Sequence, residues 1–261
     1  MAYKLNDKGS AIKKWQQFLT MQRFFTGAIT DFFGPKTETA TKAFQKFYNI
    51  PQTGLAGSLT LGKANELGFN PDKEPSLKII RNDTDMMRWI KENLSATMRQ
   101  AVTGSFYTED WLAGMCARET GFKIIKFFNQ QHDFAFITAN MLGDYSKRSA
   151  DAVKRYHGYG YWQIDIASYP DFVNSNDWKD ASKTVKKAVS VLNEKKKYLE
   201  DQGWDVQLTA EEFSRAITAA YNCGQGNVVK ALRNNLDIDA YTYSKDYSKE
   251  VWRYRSIYRN L

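Results

Sequence analysis

The chain has 261 residues, of which 43% are hydrophobic and 15% aromatic, so it can build a packed core and is not an intrinsically disordered protein. Its 37 Lys and Arg residues exceed its 29 Asp and Glu residues, and the net charge of +8 favours an anionic partner such as nucleic acid, anionic lipid or an anionic cell envelope. No run approaches the roughly 18 apolar residues of a membrane span, and the first residues lack the apolar core of a secretion signal. We therefore expect a protein made in the cytoplasm, with no signal peptide and no membrane span.

Cysteine and histidine are too scarce for a metal centre. The two cysteines, Cys116 and Cys223, do not make a disulfide framework, and small buried apolar side chains are the simpler interpretation. The two histidines, His132 and His157, stand in no cluster with ligand spacing. We expect neither a metal nor any other cofactor.

The first 65 residues predict a small three-helix unit. One helical stripe is formed by Ile12, Trp15, Phe18 and Leu19, and a second by Thr37, Ala40, Ala43, Phe44 and Phe47. Two glycine turns, at residues 31–37 and 53–60, each lead to a threonine just as a new helix begins, which is a short internal repeat.

These turns carry a recognisable motif, with the segments Phe33-Gly34-Pro35-Lys36-Thr37, Ala40-Thr41-Lys42-Ala43-Phe44-Gln45 and Gly54-Leu55-Ala56-Gly57-Ser58-Leu59-Thr60. The pattern resembles the peptidoglycan-binding domain common in phage endolysins and bacterial wall hydrolases. The resemblance covers residues 1–65 and implies wall binding by a module whose motif includes Asp31, Phe33, Gly34 and Thr37. Phe32 departs from the pattern, because the family usually has Gly after the Asp, and this affects the geometry of the first turn.

A polar stretch with Gly68, Pro71 and Pro75 predicts a linker over residues 66–83. The remaining chain, residues 84–261, predicts a second, mainly α domain. Helical stripes are formed by Met87, Ile90, Leu94 and Met98, and later by Val185, Ala188 and Leu192. A capping box at Thr209-Ala210-Glu211-Glu212 opens a helix through Phe213, Ala216, Ile217 and Ala220 that Gly224 closes.

Glu119 is the residue of greatest chemical interest. A helix capped by Thr108 places Leu112, Met115, Cys116 and Glu119 on one face, and Gly121 is expected to end it. Burial disfavours the charged form of a carboxyl group, so Glu119 is suited to donate a proton near neutral pH. The alternative is a structural glutamate paired with a neighbouring Arg or Lys at a helix end.

Four segments of the second domain resemble, in order, the goose-type lysozyme and lytic transglycosylase superfamily. They are Arg118-Glu119-Thr120-Gly121-Phe122, Gly158-Tyr159-Gly160-Tyr161-Trp162-Gln163-Ile164-Asp165, Ala219-Ala220-Tyr221-Asn222-Cys223-Gly224-Gln225-Gly226-Asn227-Val228 and Asp246-Tyr247-Ser248-Lys249-Glu250-Val251. The resemblance covers roughly residues 85–261 and implies a lysozyme-like α domain that cleaves the β-1,4 bond between N-acetylmuramic acid and N-acetylglucosamine.

The resemblance also implies roles for the carboxyl groups. Glu119 takes the position of the general acid. Asp165 stands where goose-type enzymes carry a water-holding aspartate and transglycosylases usually do not, which favours hydrolysis. A second water-holding aspartate is matched best by Asp144, while Asp151 and Asp133 compete because the stretch between Glu119 and Gly158 is longer than in the goose enzyme.

The substrate-binding residues implied by the resemblance are Gln163, Tyr161, Tyr221, Asn222 and Tyr247. Amides suit N-acetyl groups and flat rings suit the apolar faces of sugars. Trp162 and Tyr159 fit a sugar cleft or the core equally well, and Tyr247 is expected near the acid or in a core stripe. Cys223 departs from the family, which prefers Ala there.

Together these features predict an endolysin-type muramidase that inverts configuration, acts as a monomer and reaches peptidoglycan through a separate holin-type protein that permeabilises the membrane. A lytic transglycosylase that gives 1,6-anhydro products is the nearest alternative. A non-catalytic wall-binding or virion structural protein is a second one. A nucleic-acid-binding role is suggested by charge alone, with no recognition motif.

Overall fold

The computed structural model describes residues 2–72 and 79–261, which form two compact units, one on either side of the gap. Helices dominate both units, so the predicted mainly α fold is confirmed. Each unit has its own hydrophobic core. Residues 73–78 of the predicted linker lie outside the described residues.

The first unit consists of three helices, α1 (Ser10–Met21), α2 (Pro35–Phe47) and α3 (Ser58–Glu66). Its core is strongly aromatic, and the Trp15 ring lies 5.4 Å from Phe18 and 5.3 Å from Phe69, measured between centroids. Because Phe69 is buried in this core, the packed unit extends beyond the predicted boundary at residue 65.

The internal repeat of the first unit is built around two buried glutamines. The Gln16 side-chain amide donates at 2.8 Å to both the Phe32 carbonyl and the Thr37 hydroxyl. Gln45 repeats this arrangement with Leu55 and Thr60, at 2.8 and 2.9 Å. Each glutamine therefore ties one glycine turn to the helix that precedes it and to the first turn of the next helix.

The predicted stripe on α2 is partly wrong. Thr37, Ala40 and Phe44 are buried as expected, but Ala43 and Phe47 are exposed. The reason is that Thr41 and Gln45, not Ala43 and Phe47, complete the inward face of α2. Their polar atoms are hydrogen-bonded within the unit, which removes the usual cost of burying them.

The second unit contains the other helices of the described chain. They are α4 (Asp83–Val102), α5 (Glu109–Asn129), α6 (Phe134–Ala139), α7 (Pro170–Asn174), α8 (Ala181–Asp201), α9 (Trp204–Gln207), α10 (Ala210–Cys223), α11 (Gln225–Arg233) and α12 (Tyr247–Arg259), with short 3₁₀ turns at Asp177–Lys179 and Tyr243–Lys245. Packing of α5 against α4 and α12, and of α8 and α10 beside them, forms the core.

Four two-residue strands form two antiparallel ladders in this unit. β1 (Tyr145–Ser146) pairs with β2 (Arg155–Tyr156), and β3 (Gly158–Tyr159) pairs with β4 (Ile164–Asp165). Both ladders fall between α6 and α7, in the stretch that holds the predicted Gly-rich motif.

The predicted end of α5 at Gly121 is wrong, because the helix continues to Asn129. A Cβ atom at Gly121 would collide with the Met86 sulfur on α4, and one at Gly114 would lie 2.5 Å from the Val251 carbonyl oxygen on α12. These glycines therefore permit close approach of two neighbouring helices instead of ending the helix.

Other boundaries follow the sequence closely. Thr108 is the N-cap residue of α5, and the capping box of Thr209 with Glu212 opens α10. The second unit begins before the predicted residue 84, since Ile80 is buried and its backbone pairs with the Asn129 side chain at 2.7 and 2.9 Å.

Candidate active site

Glu119 lies on α5 and is partly buried beside groups from α12 and α10. Burial raises the pKa of its carboxyl group to about 7, while the Tyr247 hydrogen bond and the nearby Arg118 charge act in the opposite direction. A substantial fraction of this carboxyl group is therefore protonated at neutral pH. That is the state in which a general acid can donate a proton.

Tyr247 is the direct partner of the acid. Its buried hydroxyl donates a hydrogen bond to Glu119 Oε1. Arg118 Nη2 forms an ion pair with Asp246 Oδ1 at 3.1 Å, and its guanidinium lies 5.7 Å from the Tyr247 ring centroid. The acid is thus held by the residue that begins α12 and by a cation beside it.

Asp239 fixes the start of α12 and was not found from the sequence. Its buried carboxylate accepts hydrogen bonds from the Ser248 backbone and hydroxyl at 2.9 and 2.7 Å, and from the Lys249 backbone at 3.3 Å. Satisfied N–H groups at a helix start stabilise that end of the helix. The signal was hidden because Asp239 lies well before the helix start, outside the positions where a local cap is sought.

Tyr221 and Asn222 occupy the end of α10. The Tyr221 hydroxyl donates to the Trp162 carbonyl at 2.7 Å, and burial together with the Glu119 charge raises its pKa well above the usual range. Tyr221 therefore borders the acid. Asn222 is exposed and its Oδ1 accepts from the Tyr243 backbone at 2.9 Å.

The turn between β3 and β4 differs from the predicted aromatic cleft. Tyr161 and Trp162 are completely buried, with the Tyr161 hydroxyl 2.9 Å from the Thr138 hydroxyl and the Trp162 indole donating to the Leu112 carbonyl at 3.0 Å. A side chain with no exposed surface cannot line a cleft, so the structure does not bring Tyr161 to a surface where it could contact a substrate. Both rings belong to the core.

Gln163 closes the same turn with a left-handed backbone, at φ 51°. Its side-chain amide donates to the Gly160 carbonyl at 2.8 Å, so the nitrogen is occupied inside the turn. A Cβ atom at Gly143 or Gly158 would lie 2.5 Å from the Gln163 side-chain oxygen. The two glycines therefore make room for this amide, which is partly exposed.

Asp165 ends β4 and is partly exposed. Its Oδ1 accepts from Arg148 Nη1 at 2.9 Å, and its Oδ2 accepts from the Ser168 backbone and hydroxyl, both at 3.1 Å. These donors orient the carboxylate, as an aspartate that handles a water molecule requires.

Arg148 joins Asp165 to Asp144. Asp144 Oδ1 lies 3.6 Å from Arg148 Nη2, and Asp144 Oδ2 accepts a hydrogen bond from the Ser146 hydroxyl at 2.8 Å. Two carboxylates from separate segments are thus brought to one guanidinium, a bridge that no sequence pattern indicated. Among the three competing aspartates of the described residues, Asp144 is the one whose carboxylate contacts the same guanidinium as Asp165.

The two competing aspartates have structural roles. Asp151 is buried, pairs with Arg155 at 2.6 Å and His157 at 3.2 Å, and accepts from the Arg148 backbone at 2.8 Å. Asp133 is the N-cap residue of α6 and accepts from the Phe136 backbone at 2.8 Å. In the described residues the Arg148 guanidinium contacts the carboxylates of Asp144 and Asp165 and neither of these two.

Hydrogen bonds link the segments around the acid to the β3–β4 turn, which leads to Asp165. The Tyr221 hydroxyl, whose pKa is raised by burial and by the nearby Glu119 charge, donates to the Trp162 carbonyl at 2.7 Å. The Thr120 hydroxyl also donates to the Tyr161 carbonyl at 3.0 Å, which joins the residue after Glu119 to the β3–β4 turn. Glu119 and Asp165 therefore border one region of the second unit.

The motif residues of the first unit are largely internal. Phe33 and Thr37 are buried, Gly34 is the N-cap of α2, and Asp31 is exposed, with its carbonyl accepting from the Gly9 backbone at 2.8 Å. Phe32 is accommodated with the Lys8 ammonium 5.6 Å from its ring centroid. The motif therefore shapes the turn and the helix start.

Within the part of the chain that the structure describes, no group of three or more His, Cys, Asp and Glu side chains is arranged to hold a metal ion. Over the same residues, no helix has the length and apolar character required to cross a membrane.

Comparison with known proteins bears on the first unit. The family model for the peptidoglycan binding domain matches residues 8–63. No curated protein matches the chain. The match marks the chain as a cell-wall-associated protein with peptidoglycan as its partner.

Proposed function

We propose that the second unit is a muramidase that hydrolyses the β-1,4 bond between N-acetylmuramic acid and N-acetylglucosamine of peptidoglycan. The observation that carries this proposal is Glu119, a partly buried carboxyl group whose pKa is raised to about 7 and whose Oε1 accepts from Tyr247. Such a group can protonate a glycosidic oxygen at neutral pH.

The choice of substrate is supported by the first unit. Its peptidoglycan binding domain would keep the second unit close to an insoluble polymer, which raises the effective concentration of glycosidic bonds at Glu119. The pairing of a wall-binding unit with a half-buried acid fits an endolysin-type enzyme. Such an enzyme is made in the cytoplasm of the host bacterium and released by a separate holin-type protein.

The proposed nucleophile is a water molecule held by Asp165 and Asp144. The support for this step is Arg148, which contacts both carboxylates and offsets their mutual repulsion. A pair of aspartates can orient and deprotonate a water on the face of the sugar opposite to the acid, with inversion at the anomeric carbon.

A lytic transglycosylase is the second candidate, and one observation favours it. Both oxygens of Asp165 already accept hydrogen bonds, from Arg148 and Ser168, so most of the acceptor capacity of this carboxylate is used without a water. In that reaction Glu119 would act alone, and a hydroxyl of the muramic acid would attack its own anomeric carbon.

Mass analysis of the muropeptides released from purified peptidoglycan tests both candidates. Reducing muramic acid ends are expected for the muramidase, and 1,6-anhydro ends, lighter by one water, for the transglycosylase. Glu119→Gln protein is the control and should release neither. Release of products by this variant at a rate close to that of the unaltered protein would contradict the proposal.

A further inference from the structure

Three aromatic residues of the first unit form a surface cluster, which we call the aromatic patch: Phe24, Phe47 and Tyr48. Phe47 is 65% exposed although the sequence pattern predicts it in the core, and Phe24 and Tyr48 are partly buried. A single exposed apolar side chain is common on protein surfaces, but an exposed ring that packs with other rings into a patch is a candidate binding surface.

The ring of Phe47 is held in place although it is exposed. Its centroid lies 5.7 Å from that of Phe24 and 4.9 Å from that of Tyr48, both in edge-to-face geometry. Tyr48 lies in turn 4.8 Å from the buried ring of Phe44. Because the rings are already packed, a ligand that covers them would cost little side-chain entropy.

Most motif residues of this unit do not supply a surface for a sugar ring. Phe33 and Thr37 are buried, and the polar atoms of Gln16 and Gln45 are used inside the unit. Asp31 is exposed but offers no apolar surface. Stacking on a sugar therefore calls for other side chains, and Phe47 is the most exposed aromatic residue among those described in this unit.

The chemistry of the aromatic patch fits sugars. The C–H faces of pyranose rings are apolar and pack flat on aromatic rings, while their hydroxyl and N-acetyl groups remain in contact with water. The Lys63 ammonium lies 5.5 Å from the Tyr48 ring centroid but is paired with Glu66 at 2.7 Å, so apolar contact and not charge is the main attraction that the patch offers.

We propose that the aromatic patch binds the pyranose rings of the peptidoglycan glycan strand. The proposal rests on the peptidoglycan binding assigned to residues 8–63 and is independent of catalysis by the second unit. Phe47 would supply the central stacking surface, with Phe24 and Tyr48 fixing its orientation.

Co-sedimentation of the full-length protein with purified peptidoglycan tests the proposal, in a Glu119→Gln background that leaves the polymer intact. Phe47→Ala should raise the dissociation constant about tenfold, since an aromatic contact of this kind is worth roughly one factor of ten. Phe47→Trp should preserve binding. Unchanged thermal unfolding of both variants would show that the fold survives a change at this exposed site.

Leu5→Ala is the matched control, because Leu5 is a 42% exposed apolar residue of the same unit. The next residue, Asn6, donates its backbone N–H to the Phe33 carbonyl at 2.9 Å, which places Leu5 near the start of α2. Phe47 is the last residue of that helix. At about 1.5 Å per residue, the two ends of α2 are roughly 18 Å apart, and Leu5 lies near the end opposite to Phe47. Leu5→Ala should therefore bind as the parent does.

Competition identifies the ligand. Glycan strands freed of their peptides should displace the parent protein, and isolated stem peptides should not. Equal binding by Phe47→Ala and the parent, or displacement by stem peptides alone, would overturn the proposal. So would a loss for Phe47→Ala that disappears in high salt, because it would indicate binding by charge. None of these readouts depends on whether the second unit cleaves the glycan.

Discussion

The motifs of the two units differ in how much of them reaches the surface. In the first unit, Phe33 and Thr37 are buried and bonded to their own fold. In the second unit, Tyr161 and Trp162 are buried in the same way, whereas Glu119 and Asp165 remain partly exposed and border one region. The comparison teaches that one kind of motif residue shapes a turn, while another leaves a carboxyl group open to solvent, and that burial distinguishes the two.

Removal of the acid should give the largest effect and distinguishes catalysis by the second unit from wall binding by the first unit. Glu119→Gln cannot donate a proton, so clearing of purified walls, followed by turbidity, should fall by about 10³-fold or more. Binding to the same walls should stay unchanged. The control is Glu211→Gln, an exposed glutamate in the first turn of α10. Clearing by Glu119→Gln above a few per cent of the parent rate would contradict the mechanism.

Asp165→Asn should give the next largest effect, a loss of about 10²-fold in turnover with little change in substrate affinity, because the lost group acts on the attacking water. Products of the parent enzyme should carry newly formed reducing ends in the α configuration, which proton NMR detects before mutarotation. Asp171→Asn, an exposed aspartate in α7, is the control. Reducing ends of β configuration, or mainly anhydro ends, would exclude a water held by Asp165 as the nucleophile.

Separating the units tests whether the first one only delivers the second to the wall. A protein of residues 79–261 keeps its own core and should cut soluble glycan fragments at the full-length rate. Its clearing of intact walls should fall about tenfold or more, because tethering no longer raises the local concentration of substrate. Equal clearing of intact walls by both proteins would remove the delivery role.

The smallest expected effect is a shift in pH dependence. The Tyr247 hydroxyl favours the charged form of Glu119, so Tyr247→Phe should raise the pKa of the acid further above about 7. Activity requires the protonated acid, so it is present below this pKa and is lost as the pH rises through it. The alkaline limb of the rate profile should therefore move to higher pH by about one unit or less. A limb that moves to lower pH, or that moves equally in a Tyr254→Phe control, would contradict this assignment.

Local rules predicted the helices well. The capping box of Thr209 and Glu212, the N-cap at Thr108 and the stripe that ends in Met98 all depend on neighbours within a few positions. Glu119 was found for the same reason, since a carboxyl group on an apolar stripe is visible in the helix alone.

The misassigned residues depend on distant contacts. Gly121 does not end α5 because Met86 on another helix occupies the space of its missing side chain. Tyr161 is core because Thr138 satisfies its hydroxyl, and Phe47 is exposed because Gln45 takes the inward position. Arg148 contacts Asp165, which is far away in sequence, so no local pattern indicates it. Asp239 binds the start of α12 from outside the expected cap position, so it is not indicated either.

The two aspartates beside Arg148 are supported by different parts of the fold. Asp165 ends β4, and the β3–β4 turn is hydrogen-bonded to α5 through Thr120. Asp144 precedes β1, and the buried Asp151 holds the segment between β1 and β2. A change of length between β1 and β2 would therefore be expected to move Asp144 or Arg148 and to leave Glu119 and Asp165 in place.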